Sequence, residues 1–266
     1  MFLKKEVGGV PFYAPFDDAN GVRAAISTRY GGVSEGHLAS LNLRVSCGDT
    51  EENVKENLQR FGNAVGFSPE NTVTTKQEHT THILRVTKKD AGIGTVLPPF
   101  SEGVDGLITN EKGLALLTYY ADCVPVLLYD PVQKAAGICH SGWRGTVGKI
   151  AAKTVLKMHE AFSSRPSDIL AAIGPHIGAC CFEVDAPVYE AFYEVFPSEN
   201  GFAEKKGEKY HIDLTEAVKK ALYDVGVEKI ADSGICTACH ADEFFSHRKT
   251  GGKRGCFGAM IMLTEE

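Results

Sequence analysis

The chain has 266 residues, of which 43% are hydrophobic and 23% charged, and its formal net charge is −6 at pH 7. This acidic balance argues against a nucleic-acid-binding protein, because binding driven by counterion release needs a basic surface. Small molecules or proteins are therefore the expected partners. Since no proline-rich, glycine/serine-rich or low-complexity spacer divides the sequence, we predict a single domain over residues 1–266.

The N-terminus carries no apolar leader, and no window approaches the roughly 18 apolar residues that a membrane span requires. These features predict a cytoplasmic protein with no membrane association. The eight cysteines are then expected to be reduced, as buried thiols or metal ligands, because disulfides are rare in that compartment.

The first part of the chain predicts a strand, two loops and a helix. Residues 22–28 are strand-like and lead into a glycine-containing loop at Arg29, which is a candidate anion contact. A turn with a solvated arginine explains the same residues equally simply. Arg44 lies in the next loop, and residues 50–66 predict a helix. The apolar stripe of that helix is Val54, Leu58, Phe61 and Val65.

Two histidines follow, between the strand-like segments 73–76 and 82–86. His79 and His82 are candidate metal ligands, but on a strand this spacing directs them to opposite faces, so at most one should reach a given metal. Further on, residues 104–109 and 114–120 predict two strands that a turn joins into a hairpin. Asp105 at its start is a candidate for orienting a ligand or substrate, or for capping a turn.

A second predicted hairpin is the most informative stretch of the sequence. Residues 124–129 and 135–139 are apolar runs separated by a turn that begins at Asp130-Pro131. Cys123 precedes the first run and His140 follows the second, so antiparallel pairing places both side chains at one end of the hairpin. A thiol and an imidazole would meet there.

The segment after His140 predicts a helix from residue 146 onward, with apolar residues at helical spacing. Its start is flanked by glycines and carries Arg144, and backbone N–H groups at such a start can bind an anion. Later segments predict a strand at 169–173, helices from Asp185 and over 214–225, and a C-terminal strand at 259–263.

The sequence Cys236-Thr-Ala-Cys-His240 matches the pattern for covalent haem attachment. We reject that interpretation, because attachment requires export and no leader is present. A structural zinc at Cys236 and Cys239 would need a second pair of ligands, and the spacing to Cys256 and His247 matches no familiar zinc module.

Taken together, these segments resemble the single-domain polyphenol oxidoreductase (laccase-domain) family, whose members are now regarded as purine nucleoside phosphorylases. The matching motifs run in order over nearly the whole chain: Ser27-Thr-Arg-x-Gly-Gly-Val-Ser34, Lys76-Gln-x-His79, Asp105-Gly-Leu-Ile-Thr109, Ala121-Asp-Cys-Val-Pro-Val126, His140-Ser-Gly-Trp-Arg-Gly145, Ile173-Gly-Pro-x-Ile177 and Phe244-Phe-Ser-x-Arg248. Two departures are Ser141, where the family usually has alanine, and the altered motif around Arg254-Gly-Cys256.

The resemblance implies an α+β fold, a four-layer α-β-β-α sandwich with mixed sheets, and one zinc ion held by His79, Cys123 and His140. It also implies phosphorolysis of adenosine, inosine, guanosine and methylthioadenosine, with adenosine deamination at the same site. Three protein ligands would leave a fourth zinc position open, as in catalytic rather than structural sites. A homodimer is one possible assembly, which the sequence does not fix.

The candidate substrate contacts are charged side chains. Arg29, Arg44 and Arg144 are candidates for holding phosphate, because a guanidinium binds that oxyanion through two parallel hydrogen bonds. Asp105 is the fourth candidate substrate contact. Purine nucleosides and phosphate are thus the expected partners, and nucleic acid and membranes are not.

Three other interpretations remain open. Two histidines and one cysteine also make a blue-copper site, so copper-dependent phenol oxidation is chemically feasible. It is disfavoured because multicopper oxidases need many paired histidines, whereas this chain has nine in total and no His-x-His pair. Alternatively, Cys123 could be a nucleophile activated by His140 in a metal-free hydrolase. A binding module without catalysis is the last alternative.

Overall fold

Regular structure covers most of the described residues, which are 2–16, 19, 21–196 and 201–264 of a computed structural model. The strands are β1 (Leu3–Val7), β2 (Val10–Ala14), β3 (Val22–Ser27), β4 (Thr72–Thr74), β5 (Ile83–Arg85), β6 (Gly106–Thr109), β7 (Ala115–Tyr120), β8 (Val124–Asp130), β9 (Ala135–Ser141), β10 (Leu170–Ile173), β11 (Glu183–Val184), β12 (Ala203–Lys206), β13 (Lys209–Ile212), β14 (Lys229–Asp232) and β15 (Phe257–Leu263). The helices are α1 (Glu51–Val65), α2 (Trp143–Val147), α3 (Ile150–Phe162), α4 (Ala186–Val195), α5 (Leu214–Asp224) and α6 (His247–Thr250). Within these residues, no helix combines the length and apolarity needed to cross a bilayer.

The strands form two large mixed sheets and one small sheet. The first sheet has the order β1-β2-β3-β15-β7-β4, and the second has the order β14-β10-β8-β9-β6-β5. Most neighbours are antiparallel, whereas β4 with β7, β10 with β14, and β5 with β6 are parallel. The small sheet, β11-β13-β12, is antiparallel.

Alternation of side chains along the strands explains how the layers pack. In β8, Val126 and Leu128 belong to the apolar cluster shared with α3 and α5, whereas Leu127 and Tyr129 belong to the cluster between the two large sheets. Successive residues of a strand point to opposite faces, so the second sheet is buried on both sides.

The first sheet is covered in the same way. Leu116 and Tyr120 of β7 pack between the sheets, and Leu117 packs on the other face against α1 residues such as Phe61. The four layers are therefore, in order, helix α1, the first sheet, the second sheet, and helices α3 and α5. The predicted α+β, four-layer α-β-β-α sandwich with mixed sheets is confirmed.

Two local predictions meet different outcomes. The hairpin of residues 124–139 is confirmed, with β8 and β9 paired from Val124↔Ser141 to Asp130↔Ala135. The hairpin of residues 104–120 is wrong, because β6 pairs with β9 in the second sheet and β7 pairs with β15 in the first. Both strands are buried along their whole length, so their apolar pattern carries no information about which sheet each joins.

The helix predicted after His140 is interrupted. A five-residue helix, α2, ends before α3 begins, and Lys149 between them has a left-handed φ of 55°. The anion site was predicted at the N-terminus of one long helix. In the structure this N-terminus belongs to α2, which has only five residues.

The N-cap of α1 provides a test of the fold. The Thr50 hydroxyl accepts a hydrogen bond of 3.2 Å from the Asn53 backbone N–H. We expect Thr50→Ala to lower the free energy of unfolding by about 1 kcal/mol, since one N–H of the first turn loses its partner. Urea denaturation measures the change. Thr50→Ser keeps the hydroxyl, and an equal loss in that variant would contradict the capping role.

Candidate metal centre

Three of the predicted metal ligands meet at one end of the β8–β9 hairpin. The ligating atoms of His79, Cys123 and His140 all lie within 4.8 Å of one another. Cys123 Sγ lies 3.9 Å from His79 Nε2, and the two imidazole ring centres are 4.9 Å apart. His140 is buried, Cys123 is partly exposed and His79 is exposed, so the cluster opens to solvent on the His79 side.

The hairpin register explains why Cys123 and His140 are neighbours. Pro125 of β8 pairs with His140 of β9, and Cys123 lies just before β8 begins. Asp122, which precedes the cysteine, has a left-handed φ of 91°. This conformation is rare for residues other than glycine, so long-range contacts must hold the chain in it.

His79 reaches the cluster through an irregular loop between β4 and β5. Its φ of 60° is left-handed, so the predicted alternation along a strand does not apply here. The Gln77 side chain anchors the loop to Tyr119, because its amide donates to the Tyr119 carbonyl at 2.7 Å and accepts from the Tyr119 N–H at 3.1 Å. His82 instead has its Nδ1 3.0 Å from the Gly103 carbonyl.

The Asp105 carboxylate forms hydrogen bonds with both histidines of the cluster. His140 Nδ1 donates to Asp105 Oδ1 at 2.8 Å, which leaves Nε2 free to coordinate a metal. The same carboxylate accepts from the backbone N–H groups of His79 and Thr80, at 3.2 and 2.7 Å. Asp105 is fully buried, so its position suits fixing the ligands rather than contacting a substrate directly.

The electrostatics of the cluster favour metal ligation. Burial alone would raise the pKa of the Cys123 thiol, but the His140 and His79 imidazoles outweigh it and lower the pKa to about 6. Burial alone would lower the pKa of His140, but Cys123 and Asp105 outweigh it and raise the pKa to about 9. A thiolate is therefore available at neutral pH, and binding of a metal would displace the proton from His140.

A glycine makes the convergence sterically feasible. A Cβ atom on Gly142 would lie 2.7 Å from His79 Cδ2 and 3.2 Å from Cys123 Sγ. Only glycine leaves room for both ligands at this point, where the chain turns from β9 into α2. Sequence reasoning did not single out this residue or Gln77, although both lie within the quoted motifs.

One thiolate and two imidazoles are a suitable donor set for zinc or copper. The described residues contribute three donors of this kind to the cluster, and the exposed side leaves room for a fourth ligand from outside the chain. Ser141, the departure from the resembled family, does not disturb this set, since its hydroxyl lies 2.8 Å from the Thr146 hydroxyl.

The three candidate phosphate arginines have different surroundings. Arg29 donates from Nε and Nη1 to the carbonyls of Ala39 and Ala241, both at 2.8 Å, and is thus partly committed to the protein. Arg144 is exposed, two residues after Gly142, with its guanidinium 4.2 Å from the Trp143 ring centre. Arg44 is partly buried and raises the local positive potential around Cys47.

Cys47 and Cys256 form a thiol pair, with their sulfur atoms 3.3 Å apart. A hydrogen bond from Cys256 lowers the pKa of Cys47 to about 6 against the effect of burial, and Arg254 and Arg44 assist. We expect iodoacetamide to alkylate Cys47 at a rate that rises through about pH 6, because the thiolate is the reactive form. Peptide mass spectrometry measures the rate.

Cys139 serves as the internal control for this experiment. Burial raises the pKa of its thiol to about 12, and the residue is fully buried, so it should stay unmodified in the folded protein. Arg254→Ala should shift the Cys47 profile to higher pH. A Cys47 profile centred near the ordinary thiol pKa of about 8.5 in the unsubstituted protein would contradict this arrangement.

Known proteins match the chain over nearly its full length. A family profile described as multi-copper polyphenol oxidoreductase laccase matches residues 23–264. The chain is 38% identical over 255 residues to a purine nucleoside phosphorylase YlmD of Geobacillus stearothermophilus, covering 92% of each chain. It is 35% identical over 239 residues to purine nucleoside phosphorylase YfiH of Escherichia coli, covering 89% of this chain and 93% of that one.

The fold has a close counterpart among solved structures. The crystal structure of YlmD from Geobacillus stearothermophilus superposes with a TM-score of 0.91 at 36% identity, covering 99% of both chains. The Bacillus licheniformis protein YfiH superposes with a TM-score of 0.89 at 32% identity, covering 98% of this chain and 99% of that one.

Proposed function

Because the chain belongs to the family described as multi-copper polyphenol oxidoreductase laccase, whose relatives include proteins named purine nucleoside phosphorylase, we propose that it is a zinc-dependent purine nucleoside phosphorylase. The proposed substrates are adenosine, inosine, guanosine and methylthioadenosine, together with phosphate. We further propose that adenosine is deaminated at the same site. The observation that carries the proposal is the convergence of His79, Cys123 and His140 beside an open face.

The proposed zinc ligands are His79, Cys123 and His140. A zinc ion held there would supply electrophilic stabilisation of negative charge that develops on the bound substrate. The chain keeps its ligands in place through Asp105, which fixes the His140 ring and the His79 backbone. We therefore assign Asp105 a positioning role, in place of the direct substrate contact that the sequence suggested.

Phosphorolysis requires phosphate and the nucleoside to be held together. A phosphate oxygen bonds to the ribose C1′ as the C1′–N9 bond breaks, and the electron pair of that bond leaves with the purine. The purine takes up the proton that hydrogen phosphate loses, which gives free base and ribose 1-phosphate. Arg29, Arg44 and Arg144 are the proposed phosphate contacts, since positioning and charge neutralisation are what a protein can add to this step.

Arg144 is the strongest of the three candidates. It is exposed and follows Gly142, which contacts the ligand cluster, whereas two N–H groups of Arg29 are already bonded to carbonyl groups. An Arg144→Gln variant should therefore have a higher KM for phosphate with a smaller change in KM for inosine. Unchanged phosphate kinetics in this variant would remove Arg144 from the site.

A metal-free cysteine hydrolase is a second candidate function. The structural observation that favours it is that Cys123 Sγ and a ring nitrogen of His140 lie within 4.8 Å of each other. A neighbouring imidazole is the group that activates a cysteine nucleophile, and it helps to lower the pKa of Cys123 to about 6. Copper-dependent phenol oxidation is the third, because the same donors bind copper. Metal content and the phosphate requirement distinguish all three.

The test is incubation of the purified protein with inosine and with adenosine, each with and without phosphate, followed by chromatography of the products. We expect ribose 1-phosphate and free base only with phosphate, inosine from adenosine in both buffers, and zinc at the His79, Cys123 and His140 site. His79→Ala should lose the zinc ion at that site and these activities, while His37→Ala, a substitution at an exposed histidine, should keep them. Base release without phosphate, or oxidation of phenols with bound copper, would refute the proposal.

A further inference from the structure

Four cysteines from two distant loops meet at a second point of the molecule. The sulfur atoms of Cys180, Cys181, Cys236 and Cys239 all lie within 4.8 Å of one another. Cys239 Sγ lies 3.6 Å from Cys180 Sγ and 3.5 Å from Cys181 Sγ. The loop after β10 supplies the first pair, and the loop after β14 supplies the second.

These distances match a single tetrahedral ion. With zinc–sulfur bonds of about 2.3 Å, a tetrahedron places its sulfur atoms about 3.8 Å apart. A disulfide would bring two sulfurs to about 2.05 Å, and all eight cysteines of the chain are free thiols in the structure. An iron–sulfur cluster would hold its cysteines farther apart, because inorganic sulfide and several irons lie between them.

Backbone N–H groups beside the cluster stabilise the thiolate form of Cys236. Cys236 Sγ accepts a hydrogen bond from the Gly178 N–H at 3.2 Å, and the backbone N–H groups of Ala238 and Cys239 also point to this sulfur. N–H groups directed at a ligating sulfur offset its negative charge, as do the partners that surround metal ligands in general. Gly178 lies directly beside the cluster, because a Cβ atom on it would be 3.3 Å from Cys236 Cβ and in van der Waals contact with the sulfurs of Cys180 and Cys236, at 3.5 and 3.7 Å.

We propose that Cys180, Cys181, Cys236 and Cys239 bind a structural zinc ion, separate from the candidate metal centre. The structure supplies the second ligand pair that the spacing of Cys236 and Cys239 lacks in the sequence. It also removes Cys256 from consideration, because that residue pairs with Cys47. Four protein ligands leave no position for a substrate, which is the property of a structural rather than a catalytic site.

The proposed zinc would also help to fix the conformation of Asp122, the residue that precedes Cys123. Asp122 accepts a hydrogen bond from the Thr237 hydroxyl and another from the Arg248 N–H, both at 2.7 Å, and its carbonyl accepts from the Ile177 N–H at 2.9 Å. Thr237 and Ile177 belong to the two loops that carry the cysteines. Cross-linking these loops would hold Asp122 in its left-handed conformation and so fix the position of Cys123.

Elemental analysis tests the proposal independently of activity. We expect the purified protein to contain two zinc ions per chain, and both Cys180→Ser/Cys181→Ser and His79→Ala to contain one. Cys47→Ser, a matched cysteine substitution outside the cluster, should contain two. Hydrogen exchange should become faster in residues 174–184 and 233–246 of the Cys180→Ser/Cys181→Ser protein only.

X-ray absorption spectroscopy of His79→Ala covers the case in which the double variant does not fold. The single remaining zinc should have four sulfur neighbours at about 2.3 Å. A metal-free His79→Ala protein, nitrogen in the shell of its zinc, or a native disulfide among the four cysteines would overturn the proposal. Two zinc ions without phosphorolysis would refute only the proposed function, and one zinc ion with phosphorolysis would refute only the four-cysteine site.

Discussion

Asp105→Asn is expected to weaken zinc binding by about 10- to 100-fold, the usual effect of losing a partner that orients a metal ligand. The amide is nearly isosteric, but it replaces one carboxylate oxygen by an NH₂ donor. The carboxylate accepts hydrogen bonds from His140 Nδ1 and from the backbone N–H groups of Glu78, His79 and Thr80. An NH₂ group cannot accept these bonds, so either the His140 ring or the His79 loop must shift.

Competition with a zinc-binding dye measures this loss directly. Asp130→Asn is the matched control, because Asp130 is also fully buried and lies at the opposite end of the same hairpin, where it accepts bonds from the Val132 and Gln133 N–H groups. We expect the control to leave zinc affinity unchanged, since both bonds go to Oδ1, which asparagine retains. Equal zinc affinity in Asp105→Asn and the unsubstituted protein would contradict the positioning role of Asp105.

Gly142→Ala is expected to abolish stoichiometric zinc at the candidate metal centre. The added methyl group would lie 2.7 Å from His79 Cδ2, whereas non-bonded carbon atoms are in optimal contact at about 3.5–4.0 Å. His79 is exposed and can move away, so the protein should fold while the metal site is lost. A ligand displacement of about 1 Å is sufficient to lower activity on the order of 100-fold.

The control for this substitution is Gly201→Ala, since a Cβ atom there would meet nothing within 4 Å. It should retain zinc and full activity. Circular dichroism and the thermal midpoint should be nearly the same for the two variants. If Gly142→Ala also keeps its zinc and activity, the three side chains do not meet as closely as the structure places them.

Part of the site follows from local sequence, whereas the four layers of the fold were expected only from the family resemblance. Apolar runs and a turn predict the β8–β9 hairpin, and antiparallel pairing alone brings Cys123 close to His140. His79 could not be placed in this way, because its loop is set by contacts with Tyr119 and Asp105, which lie 42 and 26 residues away from their partners. Only the family resemblance identified it as the third ligand.

Two other features depend on information that no local pattern carries. The strands at 106–109 and 115–120 are both entirely buried, so their composition indicates strands but not that they join different sheets. The four-cysteine cluster joins pairs separated by more than fifty residues, as the Cys181–Cys239 contact shows. Each pair alone resembles a set of buried thiols, and folding is needed to bring them together.

The convergence of His79, Cys123 and His140 on one zinc ion is tested most directly by crystals of the zinc-replete protein, with diffraction measured on both sides of the zinc absorption edge. We predict an anomalous peak between His79 Nε2, Cys123 Sγ and His140 Nε2, with no further protein ligand. Crystals of an active, zinc-replete protein with no peak at this point, or with the three side chains apart, would contradict the proposed centre.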